Sequence, residues 1–257
     1  MSMFSLEGKK VIITGAGRGI GAELAKDFAR AGADLMLVSR TQSDLDKVAA
    51  EIKEFAPNQI AIGYACDVSD PEAVAAMVDE ADKKLGGVNV LVNNAGVNKK
   101  MPFLEVDLET WKKIININLT GQFIVAQTVA KKMAANGTGG SIISMASVGG
   151  FMALQNTSPY CASKGGILQM SKVMASDLAP YNIRVNAICP GFVDTGLLDD
   201  NPQRDKLVAQ FTAATPLGRV ANVRDLAGAA IFLASDASNY ITGTQITVDG
   251  GISCVVS

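Results

Sequence analysis

The chain reads as an α/β protein, a doubly wound parallel sheet of about seven strands within a single domain, on three observations. Short β-branched apolar runs alternate along all 257 residues with longer, amphipathic, Ala-rich stretches, the pattern of repeated strand–helix units. The short runs are continuously apolar, as strands covered on both faces of a parallel sheet are. A glycine-rich turn, Thr14-Gly15-Ala16-Gly17-Arg18-Gly19-Ile20-Gly21, joins the first run to the first helical stretch, where an open α/β sheet places a ligand.

The elements follow in order. The first strand is 10–14 (KVIIT), and the glycine turn opens a helix near 19–31. Strand 35–39 (LMLVS) leads into helix 42–55, and strand 60–65 (IAIGYA) into a helix near 71–85, for whose cap Asp67, Ser69 and Asp70 compete. Strand 88–92 (VNVLV) precedes a long helix, 108–135; strand 141–146 (SIISMA) precedes helix 158–179. Strand 183–188, a helix near 223–234 and strand 245–248 complete the series, with right-handed crossovers throughout. Segment 194–216 (DTGLLDDNPQRDKLVAQFTAATP) mixes turn residues with apolar patches after a strand end and is read as a mobile substrate lid.

Composition excludes several functions. A net charge of -2 and a pI near 5.3 leave no basic footprint for nucleic acid, and the pairs Lys99-Lys100, Lys112-Lys113 and Lys131-Lys132 are separated surface charges. With no histidine, a Ser-His-Asp triad, a His base and a His-ligated metal are all ruled out. Cys66, Cys161, Cys189 and Cys254 have neither disulfide-framework nor zinc spacing. No 18-residue apolar run appears, and MSMFSLEGKK lacks a signal peptide's apolar stretch, so a soluble, cytoplasmic protein without membrane association is expected.

Tyr160 and Lys164 stand at i and i+4, on one helix face, with Ser147 thirteen residues upstream. An ammonium near a phenol favours its ionised form, so the pair is the leading proton-transfer device. A downward shift of ~2 to 3 units would require roughly 3 to 4 kcal/mol of differential stabilisation.

The glycine turn permits tight dihedrals and lets a pyrophosphate approach N–H groups at a helix N-terminus. The second strand ends in Ser39-Arg40-Thr41 and lacks the acid that binds a ribose 2'-hydroxyl. Arg40 and Arg18 can hold a 2'-phosphate by charge-assisted hydrogen bonds, and Asp44 and Asp46 lie too far into the next helix to replace the acid. NADP(H) is therefore expected over NAD(H), which remains possible.

These motifs occur in a fixed order: the glycine turn, Asp67, Asn93-Asn94-Ala95-Gly96, Asn116-Ile117-Asn118-Leu119, Ser147, Tyr160-x3-Lys164, Pro190-Gly191 and Val248-Asp249-Gly250-Gly251. In that set the chain resembles the short-chain dehydrogenase/reductase family from about Leu6 to Ile252. The resemblance implies a Rossmann-type fold and a homotetramer or homodimer. It makes Tyr160 the acid that protonates a carbonyl oxygen, Lys164 the partner of Tyr160 and of the nicotinamide ribose, Ser147 a donor to the substrate oxygen, and Asn118 the holder of a water behind Lys164. Cofactor contacts are implied at Gly15, Arg18, Gly19, Ile20, Gly21, Ser39 and Arg40, and Asp67 and Val68 at the adenine. Asn94, Ala95 and Gly96 approach the cofactor, as do Tyr160 and Lys164, and Pro190, Gly191, Val193 and Thr195 hold the carboxamide. Asp249, Gly250 and Gly251 are a structural turn.

The resemblance implies a small-molecule carbonyl or alcohol as substrate, with two enzyme readings open. One is a polyol, ketose or sugar acid: Lys99-Lys100 is similar to a basic pair of gluconate 5-dehydrogenases and can meet a carboxylate, and Ser39 to Gln42 matches a turn of xylulose reductases. Gln155 and Asn156 can bind hydroxyls, whereas Phe151, Met152, Leu154, Leu197 and Leu198 can build a more apolar pocket. The other is a 3-oxoacyl thioester, although Thr138 and Tyr181 stand where carrier-protein-dependent relatives hold arginines. A nucleotide-sensing protein without turnover would be expected to lose Ser147, Tyr160 or Lys164, and all three are present.

Overall fold

In a computed structural model, residues 3–195 and 204–254 are described. Among them the strands are β1 (Lys10–Thr14), β2 (Asp34–Ser39), β3 (Ala61–Ala65), β4 (Val90–Asn93), β5 (Gly140–Met145), β6 (Ile183–Pro190), β7 (Val193–Asp194), β8 (Ala221–Asn222) and β9 (Gln245–Val248). The helices are α1 (Gly19–Arg30), α2 (Gln42–Phe55), α3 (Pro71–Leu85), α4 (Leu108–Ile115), α5 (Gly121–Asn136), α6 (Ser158–Leu178), α7 (Arg204–Ala214) and α8 (Ala227–Ala234).

Seven strands form one sheet in the order β3-β2-β1-β4-β5-β6-β9, every pair parallel. The expected doubly wound α/β fold is therefore present. The winding direction reverses between β1 and β4, which opens a crevice at their carboxyl ends. Val11 and Ile13 of β1 point into an apolar layer shared with Leu24 and Phe28 of α1, Leu45 and Ile52 of α2, and Leu233 of α8. Ile12 points the other way, to Met77 of α3 and Val125 and Met133 of α5. With both faces covered, each β1 position from 11 to 13 is fully buried, which is why the run is apolar without alternation.

Two helix expectations, at 108–135 and 223–234, need correction, and the structure adds detail at the α3 cap and in segment 194–216. The helix foreseen at 108–135 is α4 and α5 joined by a π turn, Asn116–Thr120, in which the Gly121 N–H reaches back to the Asn116 carbonyl. A π turn inserts one residue into the helical ladder, and here it carries Asn118 to full burial. Helix α3 is capped by Asp70, which accepts from Glu72 and Ala73 N–H and so releases Asp67 from that job. The helix expected from 223 starts as a 3-10 turn, Val223–Leu226, closed by a capping box between Asn222 and Asp225. The segment read as a lid includes regular structure: Val193–Asp194 pairs with Ala221–Asn222, and α7 begins at Arg204. Its residues 196–203, with Leu197 and Leu198, lie outside the described residues.

Candidate active site

The ends of β1 and β4 are clamped together at the switch point. The Thr14 hydroxyl oxygen accepts from the N–H groups of Asn94 (2.9 Å) and Ala95 (3.0 Å), and the Asn94 amide donates to the Thr14 carbonyl at 3.0 Å. Against this clamp the glycine turn folds back on itself. Gly15 has φ +68, and a Cβ there would lie 2.8 Å from the Asn94 amide nitrogen. A Cβ on Gly21 would lie 2.2 Å from the Gly15 carbonyl oxygen, so only glycine fits. Helix α1 then starts with an extended N-cap, Arg18, and no side-chain cap, whereas α3 and α4 are capped by Asp70 and Asp107. Its first N–H groups are left for an anion at the positive end of the helix dipole.

A cleft of about 640 Å³ runs from this turn to Ser147 and Tyr160. Of the sequence-predicted cofactor residues all but Gly21 line it, and Gly21 sits directly behind Gly15. The uncapped α1 terminus, the glycine cradle and two guanidinium groups suit a dinucleotide with an extra phosphate. Arg18 and Arg40 are exposed at the cleft end formed by Ser39 and Thr41. Beside them the Asp67 carboxylate accepts from the Ser69 hydroxyl (2.7 Å) and N–H (2.9 Å), which hold its pKa down, with the Arg40 charge contributing less. Asp44, set aside on sequence grounds as too distant, also lines this end. Its Cβ is 3.1 Å from where a Gly17 Cβ would be, because the first turn of α2 packs directly on the glycine loop.

At the other end, β5 delivers Ser147 just past its carboxyl end and α6 presents Tyr160 and Lys164 one turn apart. The Ser147 hydroxyl accepts from the Gly149 N–H (3.1 Å) and lies beside Tyr160 in the same cleft wall. Burial pushes the Tyr160 pKa up, with the Ser147 hydroxyl opposing it. This reverses the expected depression, and the cause is geometric: the Lys164 ammonium lies 5.6 Å from the phenol ring centroid and is bonded to the Met145 carbonyl at 2.6 Å. Lys164 is itself only 4% exposed, and burial pushes its pKa down from 10.5 to about 8.

That buried charge has a consequence for stability. Below pH 8 Lys164 is protonated in both folded and unfolded chains and the full cost of burial is present; between 8 and 10.5 the folded chain releases its proton first, and the cost disappears. The Lys164→Met variant is therefore expected to be more stable than the parent at pH 7, by up to roughly 3 kcal/mol, with the gap closing as pH rises to 10.5. Denaturant unfolding across pH checks this, and a gap that widens above pH 8 would contradict it.

Asn118 does not line the cleft but stands behind it. Its amide accepts from the Val97 N–H (2.8 Å) and donates to the Val97 carbonyl (2.9 Å) and the Ser163 hydroxyl (3.2 Å), tying the loop after β4 to α6. The Met101 N–H donates to the Asn156 carbonyl at 2.7 Å, so the same loop is also fastened to the segment before α6. Lys99, a candidate for a substrate carboxylate, instead approaches the Thr110 hydroxyl at 3.5 Å, where it also helps keep the Asp107 carboxylate ionised. Pro190, Gly191, Val193 and Thr195 line the cleft, and Phe192 between them stacks on Phe211 of α7 at 3.9 Å. The Asp249 carboxylate accepts from the Gly251 and Ser253 N–H groups, as a structural turn requires.

Sequence reasoning missed Asn98, Phe192, Met145 and Asp44 as residues of the cleft wall. Asp44 had a signal, since it stands four residues after Arg40 in the first turn of a helix that follows the β2 edge. The Met145 carbonyl had none, because a main-chain acceptor leaves no trace in residue type.

Among the described residues no group of His, Cys, Asp or Glu side chains is placed to hold a metal, and no helix is long and apolar enough to cross a membrane. Comparison with known proteins gives consistent matches over nearly the whole chain. A family model described as enoyl-(acyl carrier protein) reductase matches residues 15–253. Galactitol 2-dehydrogenase (L-tagatose-forming) of Cereibacter sphaeroides is 36% identical over 252 residues, 97% of either chain. The 3-oxoacyl-acyl-carrier-protein reductase of Thermotoga maritima is 37% identical over 247 residues, 96% of this chain and 98% of that one. The crystal structure of a gluconate 5-dehydrogenase from Burkholderia cenocepacia, in complex with NADP and tartrate, superposes with a TM-score of 0.92 at 36% identity, covering 99% of this chain and 98% of that one.

Proposed function

The chain belongs to the short-chain dehydrogenase/reductase family, and from that premise we propose that it transfers a hydride between NADP(H) and a secondary alcohol or ketone of a small polyol, ketose or sugar acid. The observation that carries the reading is the juxtaposition of Ser147, Tyr160 and Lys164 at one end of a single cleft with the glycine turn and two guanidinium groups at the other. The similarity to a galactitol dehydrogenase and to a gluconate 5-dehydrogenase supports the substrate class.

Bound NADP(H) supplies or accepts the hydride at the nicotinamide. Gly15, Gly19 and Ile20 hold its pyrophosphate; Ser39, Arg18 and Arg40 hold the adenosine ribose end; and Asn94, Pro190, Gly191, Val193 and Thr195 face the nicotinamide half. Tyr160, protonated at neutral pH as a phenol is and pushed further up by burial, is a loaded acid for an alkoxide forming at the reduced carbon. The Ser147 hydroxyl, beside Tyr160 in the cleft wall, is the second donor to that oxygen. Lys164 keeps a positive charge near the phenolate that proton donation leaves behind, and the Met145 carbonyl fixes where that charge sits. Asn118 holds Val97 and Ser163, hence the cleft wall and α6, in register.

Initial rates with both nicotinamides across polyols, aldonates, ketoses and diketones, set against a 3-oxoacyl thioester with NADPH, test the proposal. Turnover of the thioester alone would overturn the substrate class in favour of the acyl reductase reading, which the T. maritima relative supports. Tight coenzyme binding without turnover of anything would favour a nucleotide sensor. For the coenzyme, Arg40→Ala is expected to weaken NADPH ~10- to 100-fold and NADH less than about threefold, the difference of one charge-assisted contact. Equal losses in a fluorescence titration would remove the 2'-phosphate assignment. The exposed Phe103, Leu104 and Leu108 support assembly into a homodimer or homotetramer.

A further inference from the structure

Two acidic side chains, Asp44 and Asp67, line the cleft, and Asp44 is the one that packs on the glycine loop. It occupies the third position of α2 after the N-cap Thr41, and the main chain of Gly17 is the surface it packs on: a Gly17 Cβ would meet Asp44 Cβ at 3.1 Å and the Ser39 hydroxyl at 3.0 Å. The carboxylate therefore leaves α2 next to the loop that carries Arg18, in the same wall as Arg40. It has no hydrogen bond or ion pair among the described residues, whereas Asp46, two residues on, accepts from the Gln42 amide at 2.7 Å. Arg18 and Arg40 likewise form no ion pair among the described residues. Arg18, Arg40, Asp44 and the Ser69-held Asp67 thus share one end of the cleft, and of the two carboxylates only Asp44 lacks a hydrogen-bond partner among the described residues.

Packing does not require this carboxylate, since Asp44 is exposed and α2 has Leu45, Val48 and Ile52 for its core contact. Its effect is electrostatic. A 2'-phosphate carries close to two negative charges at neutral pH. The two guanidinium groups and the uncapped α2 N-terminus attract it, and a carboxylate in the same wall opposes it. A ribose with a free 2'-hydroxyl brings no charge and meets the carboxylate as a hydrogen-bond acceptor. Both effects move the discrimination ratio the same way.

We propose that Asp44 is a coenzyme-discriminating residue, which reduces the preference for a 2'-phosphorylated coenzyme and lets the site use NAD(H) beside NADP(H). The proposal rests on the reading that Arg40 and Arg18 face the 2'-phosphate. It predicts that Asp44→Asn raises the ratio Kd(NADH)/Kd(NADPH) by roughly 3- to 10-fold at low ionic strength, the size of one partly screened charge interaction, with a smaller gain at about 0.5 M salt.

The test is calorimetric titration of the full-length protein and its Asp44→Asn and Asp44→Ala variants with NADPH and NADH. Adenosine 2',5'-bisphosphate and ADP serve as probes that lack the nicotinamide. The bisphosphate should tighten in both variants while ADP does not. An unchanged or lower Kd ratio in both variants would overturn the role of Asp44. Arg40→Ala run in parallel separates the two possible failures: equal losses of NADPH and NADH there would bring down the 2'-phosphate reading, and the Asp44 proposal with it. A selective NADPH loss together with a flat ratio in the Asp44 variants would bring down Asp44 alone.

Discussion

Tyr160→Phe is expected to lower kcat by ~10²- to 10⁴-fold, the range of a positioned general acid, while leaving NADPH affinity within about twofold. The phenol hydroxyl is the only group removed, and the neighbouring Ser147 hydroxyl keeps its bond from the Gly149 N–H. The wall of the cleft and the Met145 anchor of Lys164 are untouched, so binding and chemistry should separate cleanly. Single-turnover rates with coenzyme titrations measure both quantities. A variant that turns over within tenfold of the parent would sink the assignment of Tyr160 as the proton donor.

The second large effect is expected at Gly21. In Gly21→Ala the new methyl group would stand 2.2 Å from the Gly15 carbonyl oxygen and 2.7 Å from the Asn94 amide nitrogen. Neither neighbour can give way cheaply, because Gly15 is held at φ +68 and Asn94 is clamped to Thr14. The strand-to-helix turn must shift as a unit, at a cost of at least ~1–3 kcal/mol, the range for overpacking a rigid site. Coenzyme affinity is expected to fall by at least about 100-fold, the loss a displaced anion cradle would produce. Gly228→Ala in α8 is the matched control: a Cβ there meets nothing within 4 Å, so thermal stability should hold or rise. Equal coenzyme affinity in the Gly21 variant and the parent would show that the turn is not where the pyrophosphate sits.

Most of the fold was legible because each strand of a parallel sheet covered on both faces is a continuous apolar run, and the intervening helices carry one apolar stripe each. The run KVIIT is β1 residue for residue. What escaped detection has local geometric causes. The π turn at Asn116–Thr120 is one extra residue in a helix, invisible to a 3.6-residue period. Helix α7 lies within the lid segment without a helical signature, because none of its residues is buried and its sequence carries no clear apolar stripe. Counting residues along the chain places Asp44 well into α2, yet the packing of α2 on Gly17 brings it beside the glycine loop.

By itself, the sequence determined which atoms are present for the chemistry. Without histidine, Tyr160 with Lys164 is the leading proton-transfer pair, and the glycine spacing demands a turn that no other residue can make. Tertiary structure alone decided how those groups are charged. Proximity along a helix suggested that Lys164 would depress the Tyr160 phenol, yet burial raises Tyr160 and lowers Lys164, and the ammonium is anchored on the carbonyl of a residue nineteen positions away. The reason is that helical spacing reports one neighbour, whereas a pKa sums desolvation and every partner that the folded chain brings to the site.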